Sequence, residues 1–318
     1  MDRFEDMRCF VQVVDRGSVT KAAEALRVAP SAVSRRLKEL EARLGTQLLT
    51  RTTRRMSLTE SGRSFHARCQ RILADLDEAE GEASDRHGAL KGSLRVAAPL
   101  TFGVAHLTPI IVDFMRQNPG VVIDLDFSDR VVDLVAEGFE MAIRIGRLSD
   151  SSLIARKLVD VRVVACAAPA LLAERGVPSH PDQLKDWPAL CYTGSERPDI
   201  WRYRAREESS GDGSDGSVAM QVRMLSNNGN VLRDAAIAGQ GVILQPSFHV
   251  HEAVADGHLV PILCEFGWPE IAIYTVYPQT RHLSARARAF IDFVRARIGP
   301  RPYWEDFLYS PGGLTPGA

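Results

Sequence analysis

Ser31, Ser34, Arg35 and Lys38 follow Pro30 at three- and four-residue spacings, so a helix there would line hydroxyls and cations along one face. Groups of this kind hydrogen-bond phosphate oxygens and base edges. The surrounding stretch Arg27–Arg55 carries eight basic residues (Arg27, Arg35, Arg36, Lys38, Arg43, Arg51, Arg54, Arg55) against two acidic ones (Glu39, Glu41). Such an excess suits a phosphate-facing patch. Other chemistry is poorly supported. Ser18-Val-Thr-Lys21 has S-x-x-K spacing but lacks a K-T-G partner. No G-x-S-x-G elbow, Walker A loop or G-x-G-x-x-G run occurs. His249 and His251, with His258 and Cys264, are the best metal candidates, yet they lack H-E-x-x-H or paired C-x-x-C spacing and read as solvent-facing imidazoles. No metal, cofactor or catalytic residue is expected.

The elements that must present the basic face are short helices. Phe4, Met7, Phe10, Val11 and Val14 recur at helical spacing until Gly17. Ser18 is placed to cap a second helix, Val19–Leu26, with Ala22, Ala23 and Leu26 inward. Pro30 opens a third, whose apolar side is Val33, Leu37, Leu40 and Leu44 before Gly45. Two short helices with a tight turn describe a helix-turn-helix. Leu48–Leu58 is β-prone with Arg51, Arg54 and Arg55 near its tip, a wing suited to phosphates or a minor groove. The competing reading is a three-helix bundle with a basic outer face.

Beyond Leu58, apolar or small residues fall at Gly62, Phe65, Cys69, Ile72, Leu76, Ala79 and Ala83, alternating spacings of four and three. This heptad seam predicts a helix capped by Thr59 and ended by Gly88, a rod of about 44 Å. Phe65, Cys69, Ile72, Leu76 and Ala79 are the expected dimer contacts; the alternative is a single helix lying on its own domain.

After Gly92 strands and helices alternate. Expected strands are Ser93–Ala98, Val121–Phe127, Met141–Ile145, Ile154–Val159, Arg162–Ala167, Val218–Leu225, Gly241–Gln245, Leu259–Leu263 and Ile271–Val276. Helices are expected at His106–Gln117, Val131–Glu137, Asn228–Ala238, His249–Ala255 and Leu283–Arg297. The fold class is therefore α/β with largely parallel sheets. Ligands of open α/β sheets sit at the carboxyl ends of strands, beside helix N-termini. This points to Leu100, Thr101, Ser128, Arg144, Asn227, Asn228, Gln245, Pro246 and Phe248.

A length of 318 residues, with 45% hydrophobic and 25% charged side chains, fits two or three globular domains and disfavours disorder. The net charge of −1 hides an asymmetry: Met1–Lys91 has 17 basic and 14 acidic residues, so the excess of acid lies beyond it. The longest apolar run, Val163–Ala173, is too short to span a bilayer, and the start carries no signal-peptide pattern. Five scattered cysteines argue for a reducing compartment, and the expected location is the cytoplasm.

Ser18-Val-Thr-Lys-Ala-Ala-Glu-Ala-Leu26, Ser31-Ala-Val-Ser-Arg35, Leu40-Glu-Ala-Arg-Leu-Gly45, Leu48-Leu-Thr-Arg-Thr-Thr-Arg54 and Leu58-Thr-Glu-Ser-Gly62 form one long ordered match. Through it the chain resembles the LysR-type transcriptional regulators. The resemblance implies that Pro30, Ser31, Ser34, Arg35 and Lys38 face the major groove of double-stranded promoter DNA, that Ser18 contacts phosphate, and that Arg51 and Arg54 serve the wing. It implies a winged helix-turn-helix (1–58), a linker and dimerisation helix (59–88), a co-inducer domain (89–300) and a tail (301–318). The co-inducer domain would have two lobes, 92–161 plus 268–300 and 162–267, similar to periplasmic solute-binding proteins. Implied partners are an anionic or aromatic co-inducer, further copies of the chain in a homodimer or homotetramer, and RNA polymerase. The alternatives are a solute-binding module of transport type and, behind it, an enzyme. Three features depart from the family pattern: Arg27 stands where glycine is common, Glu140 where aspartate is usual, and Arg202–Ser217 reads as an acidic Gly/Ser-rich insert.

Overall fold

The computed structural model describes residues 2–51, 56–83, 90–147, 153–205, 215–279 and 283–309. Arg54, Gly88, most of the acidic insert and the end of the tail lie outside the described residues.

The first helix, α1 (Arg3–Arg16), starts where Asp2 accepts a bond from the Phe4 amide and stops at Gly17, φ +62°. Ser18 caps α2 (Val19–Leu26), its hydroxyl accepting from the Lys21 amide at 3.4 Å. That helix ends on Arg27 at φ +54°, ψ +42°. The left-handed conformation that glycine adopts freely is thus imposed on arginine, at a cost of about 1–2 kcal/mol. Pro30 opens α3 (Pro30–Leu44), and Gly45 closes it. Phe10, Val33, Leu37 and Leu40 form the buried centre of the three helices. Arg43 reaches the buried Asp6 carboxylate at 3.2 Å and ties α3 to α1. The wing is an antiparallel pair, β1 (Leu49–Arg51) and β2 (Met56–Leu58). Glu41 of α3 sets its start by accepting from the Leu48 and Leu49 amides at 2.8 and 3.1 Å.

Next comes α4 (Glu60–Ala83), capped by Thr59, whose hydroxyl oxygen accepts from the Gly62 amide at 2.9 Å. A Cβ at Gly62 would lie 2.0 Å from the Leu48 carbonyl oxygen, so only glycine permits this approach. The helix therefore lies on the winged helix-turn-helix, hereafter the reader, and the expected dimer seam needs correction. Phe65 packs 5.6 Å from the Phe10 ring, and Cys69 is fully buried with Leu73 in the reader core. Both are used within one chain. Burial pushes the Cys69 thiol up to about 11. Ile72 is 40% exposed and Leu76 half-buried, so of the expected contacts these two keep surface free; Ala79 lies further along the helix.

The remaining chain builds two sheets. Strands β3 (Gly92–Ala98), β4 (Val121–Phe127), β5 (Met141–Gly146) and β6 (Leu153–Val161) belong to the first. At Arg162 the chain crosses into a second lobe holding β7 (Val163–Ala167), β8 (Pro188–Tyr192), β9 (Ile200–Ala205), β10 (Gly216–Ala219), β11 (Gln221–Ser226), β12 (Val242–Pro246), β13 (Val260–Ile262) and β14 (Phe266–Gly267). It returns as β15 (Ile271–Pro278). The first sheet has the order β4-β3-β5-β15-β6, parallel through β4, β3 and β5 and antiparallel around β15. The second is β11-β8-β12-β7-β13, beside a small antiparallel sheet β10-β9-β14.

Three expectations shift. The strand expected over Val218–Leu225 is two, β10 and β11, which serve different sheets and break at the buried Met220. The insert is shorter than expected, because Arg202–Ala205 and Gly216–Ser217 lie in the β9–β10 hairpin, where Trp201 and Tyr203 point inward. The helix expected from His106 begins earlier, as Leu100–Phe102, a π turn Gly103–Leu107, and Thr108–Gln117. Gly103 allows this start because a Cβ there would meet the Phe127 ring at 2.6 Å.

Glu140 has a structural partner. It is buried, accepts from Arg286 and Ser284 at 2.8 Å each, and joins β5 to the helix Ala285–Ile298. After that helix a short turn, Tyr303–Leu308, bridges the lobes: Trp304 enters the core of the first and Leu308 that of the second.

Candidate functional site

On the reader, Pro30, Ser31, Arg35 and Lys38 are exposed along α3, and Ser34 is half-buried beside them. Arg36, one residue round the helix, sits 3.6 Å from Glu5. Among the described residues neither Arg35 nor Lys38 has an ion-pair partner, so their charge is free for phosphate or a base edge. Ser18 spends an oxygen lone pair on the Lys21 amide and keeps its proton to donate. Arg51 ends β1; Arg54 falls outside the described residues.

In the cleft the expected residues separate into those that meet and those with local work. Thr101 and Phe248 line one cavity together with Ala105, His106, Asn230, Arg233, His249, His251, Glu252 and Tyr303. The Leu100 amide donates to Asp129 at 3.0 Å, so that helix-start donor is occupied. Ser128 accepts from the Arg130 amide at 3.3 Å. Arg144 donates to the Val132 carbonyl at 3.2 Å and thereby holds the loop before Leu134–Glu137. Asn228 caps the helix Gly229–Ile237 by accepting from the Asn230 and Val231 amides, while Asn227 is exposed outside it. Gln245 is 1% exposed, and its amide nitrogen has no partner among the described residues; Pro246 beside it is half-buried. Phe248 is chiefly a packing residue, 5.4 Å from the Phe102 ring in the first-lobe core.

The imidazoles are a second correction. His249 and His251 are half-buried, not solvent-facing, and turn toward His106, a residue sequence reasoning passed over. The π turn explains the meeting: its wider period keeps Thr101 and His106, five residues apart, on the same side. His106 Nε2 lies 3.1 Å from the Phe248 carbonyl, which can only accept, so Nε2 carries the hydrogen. Nδ1 then accepts from the Tyr303 hydroxyl at 2.6 Å. Burial, with His251 nearby, holds His106 down to about 4. His249 is lowered to about 3 by burial and by the neighbouring His106, Arg233 and His251. His251 is lowered as well, again chiefly by burial. Gly229 makes room for His249, since a Cβ there would lie 2.5 Å from its Nε2. His258 is exposed, and among the described residues no three His, Cys, Asp or Glu side chains converge on a metal position. The legible signal for these residues was His249-x-His251 directly after the carboxyl end of a strand.

Comparison with known proteins agrees with both halves of this picture. The family description "Bacterial regulatory helix-turn-helix protein, lysR family" matches residues 4–63, and "LysR substrate binding domain" matches residues 87–299. The HTH-type transcriptional regulator PtxR of Pseudomonas aeruginosa is 37% identical over 294 residues, 92% of each chain. The structure of CrgA, a LysR-type transcriptional regulator from Neisseria meningitidis, aligns with a TM-score of 0.58 and 33% identity over 93% of this chain and 98% of that one. The full-length Vibrio cholerae virulence activator AphB aligns at 0.57 and 28% identity, covering 93% and 99%. With a reader helix that leaves its cations free and a two-lobed domain enclosing a polar cavity, this chain belongs to the LysR-type transcriptional regulators.

Proposed function

We propose that this regulator binds a partly two-fold promoter site through two readers, with Pro30, Ser31, Ser34, Arg35 and Lys38 of each in the major groove. Ser18 contacts phosphate, and Arg51 and Arg54 extend the contact through the wing. The observation that carries this reading is the exposed, unpaired Arg35 and Lys38 on α3. Copies pair through the free stretch of α4 that includes Ile72 and Leu76, and dimers pair further through the sensor domains. A small anionic or aromatic molecule in the cleft, touching Thr101, favours one arrangement of the sensor and so shifts reader spacing and DNA bend. The protein acts in the cytoplasm, beside RNA polymerase. Among the described residues no helix is long and apolar enough to cross a membrane.

Genome-wide mapping of bound DNA, followed by footprinting of the recovered fragments, tests the reading. A discrete set of promoter fragments with two protected half-sites is the expected result. Uniform, salt-sensitive binding without discrete sites would refute it. Thr101→Val should keep the footprint and blunt its response to the co-inducer.

A further inference from the structure

The cavity that Thr101 shares with the histidines has a lining chemistry more specific than an anionic or aromatic ligand requires. Of its ten lining residues only Ala105 and Phe248 are apolar. Several polar side chains there have nothing to bond. The Thr101 hydroxyl, the Asn230 side-chain amide and the His249 imidazole have no hydrogen-bond partner among the described residues. Arg233 is the one guanidinium on the wall. It donates from Nε to Asp234 Oδ1 at 3.0 Å and holds Nη2 2.9 Å from the same oxygen, which leaves Nη1 available. The wall has one carboxylate, Glu252, whose side chain is 78% exposed at the rim, 3.9 Å from His251. Unpaired polar groups converging on a small cavity open to solvent describe a site for a few heavy atoms bearing negative charge.

We propose that this cavity binds a small hydrophilic carboxylate, with Arg233 and His249 on its oxygens and Thr101 and Asn230 as further bonding groups, and that below neutral pH His249 takes a proton from solvent as the anion enters. The proposal rests on the regulator reading and narrows its ligand to a class. An aromatic ring finds little apolar wall here. The groups facing His249 come from each packed element: His251 and Glu252 on its own helix, Asn230 and Arg233 on Gly229–Ile237, Thr101 and His106 on the Leu100–Leu107 run, and Tyr303 on the C-terminal turn. In the empty site burial, with His106, Arg233 and His251 nearby, keeps the ring neutral. An anion in contact raises an imidazole by about 1–3. His249 then rises from about 3. Carboxylate binding therefore tightens as pH falls, by about fourfold from pH 7.5 to pH 5.5 at the top of that range.

Calorimetric titration of the full chain with L-lactate, and with neutral lactamide as control, tests the site at both pH values. The expected results are saturable lactate binding, no lactamide binding, and the fourfold gain at low pH. His249→Gln should weaken lactate binding and lose the pH dependence, whereas Arg233→Gln should weaken lactate about tenfold or more at both pH values and keep the pH dependence. Thermal melting verifies that each variant is folded. Equal affinity for lactamide, an unaltered Arg233→Gln variant, or a pH dependence that survives in His249→Gln would overturn the proposal. Failure to bind lactate by a chain that still binds its mapped DNA overturns the proposal alone. Lactate binding as described, in a chain that binds no DNA, upholds the site and overturns the regulator reading.

Discussion

Glu305→Ala should loosen the two lobes from each other. Glu305 is 5% exposed on the short turn Tyr303–Leu308. One oxygen accepts from the Arg162 amide at 2.9 Å and from the Ser247 hydroxyl at 3.2 Å. Arg162 is where the chain crosses between lobes, and Ser247 starts the second-lobe helix Ser247–Ala255. The neighbours Trp304 and Leu308 are buried in opposite lobes, so Glu305 pins the middle of a strap anchored at both ends. Alanine removes the acceptor from a half-buried amide and a buried hydroxyl. Each group left unpaired costs about 1–3 kcal/mol, and the hydroxyl can rotate toward another acceptor, so the loss should total about 2–4 kcal/mol. Glutamine keeps an acceptor oxygen and should cost about 1 kcal/mol. Urea unfolding of the full chain, followed by tryptophan fluorescence, measures both. In the alanine variant the sensor transition should also separate into two, as each lobe unfolds on its own. A loss below about 0.5 kcal/mol, or equal losses in the alanine and glutamine variants, would show that Glu305 holds nothing across the lobes.

Arg35→Ala should weaken binding to the mapped DNA by about 1–3 kcal/mol by fluorescence anisotropy, with lactate binding and melting temperature unchanged. The pair Ile72→Asp and Leu76→Asp should shift the sedimenting species to monomer. Cys69→Ala, in contrast, should cost about 1 kcal/mol of reader stability without changing the assembly, because Cys69 packs inside one chain. His106 should make the sensor acid-sensitive. Its folded-state value of about 4 lies below the ordinary 6.5, so the unfolded chain binds the extra proton, and stability present above pH 6.5 is lost as pH falls toward 4. His106 should contribute about 2 kcal/mol of the loss between pH 7.5 and pH 5, and a His106→Gln variant should lose about that much less in the same unfolding measurement, the rest coming from the likewise lowered His249.

What could be read from the chain tracks how local the determining forces are. The reader was legible because each helix end carries its own signal: Ser18 at a cap, Gly17 and Gly45 in left-handed closures, Pro30 in a first turn. Strand Val121–Phe127 was placed to the residue, since Ile123, Leu125 and Phe127 alternate with Asp124 and Asp126 and turn residues bound the segment. The hairpin strand Ile200–Ala205 was overlooked although Trp201 and Tyr203 alternate with Arg202 and Arg204; the acidic residues beyond it drew it into the insert. The cavity was legible only at Thr101 and Phe248. Position at a strand end says that a polar group is near a ligand site, but not whether a neighbouring amide has already claimed it. Asn228 and Ser128 are claimed in this way, by bonds two or three residues along the chain. Tyr303 reaches His106 from the opposite end of the sensor, a meeting that no local pattern encodes.

The heptad seam failed for a different reason, and the failure constrains how a signal can travel. Over three heptads a 3.5-residue stripe drifts only about 20° per repeat from a straight helix, so it cannot distinguish a partner helix from the chain's own domain. Here the stripe is divided. Gly62, Phe65, Cys69 and Leu73 bind α4 to the reader core, and His66 adds a contact to Asp15 of α1 at 2.9 Å. A close-packed core transmits displacement without deforming, so the reader and the first half of α4 move as one body. A change of reader spacing driven from the cleft must then be taken up beyond Leu73, where Ile72 and Leu76 mark the start of the free surface. In the proposed switch the length of α4 outside the reader core would thus be the lever arm, enlarging small rotations of the sensor at the DNA.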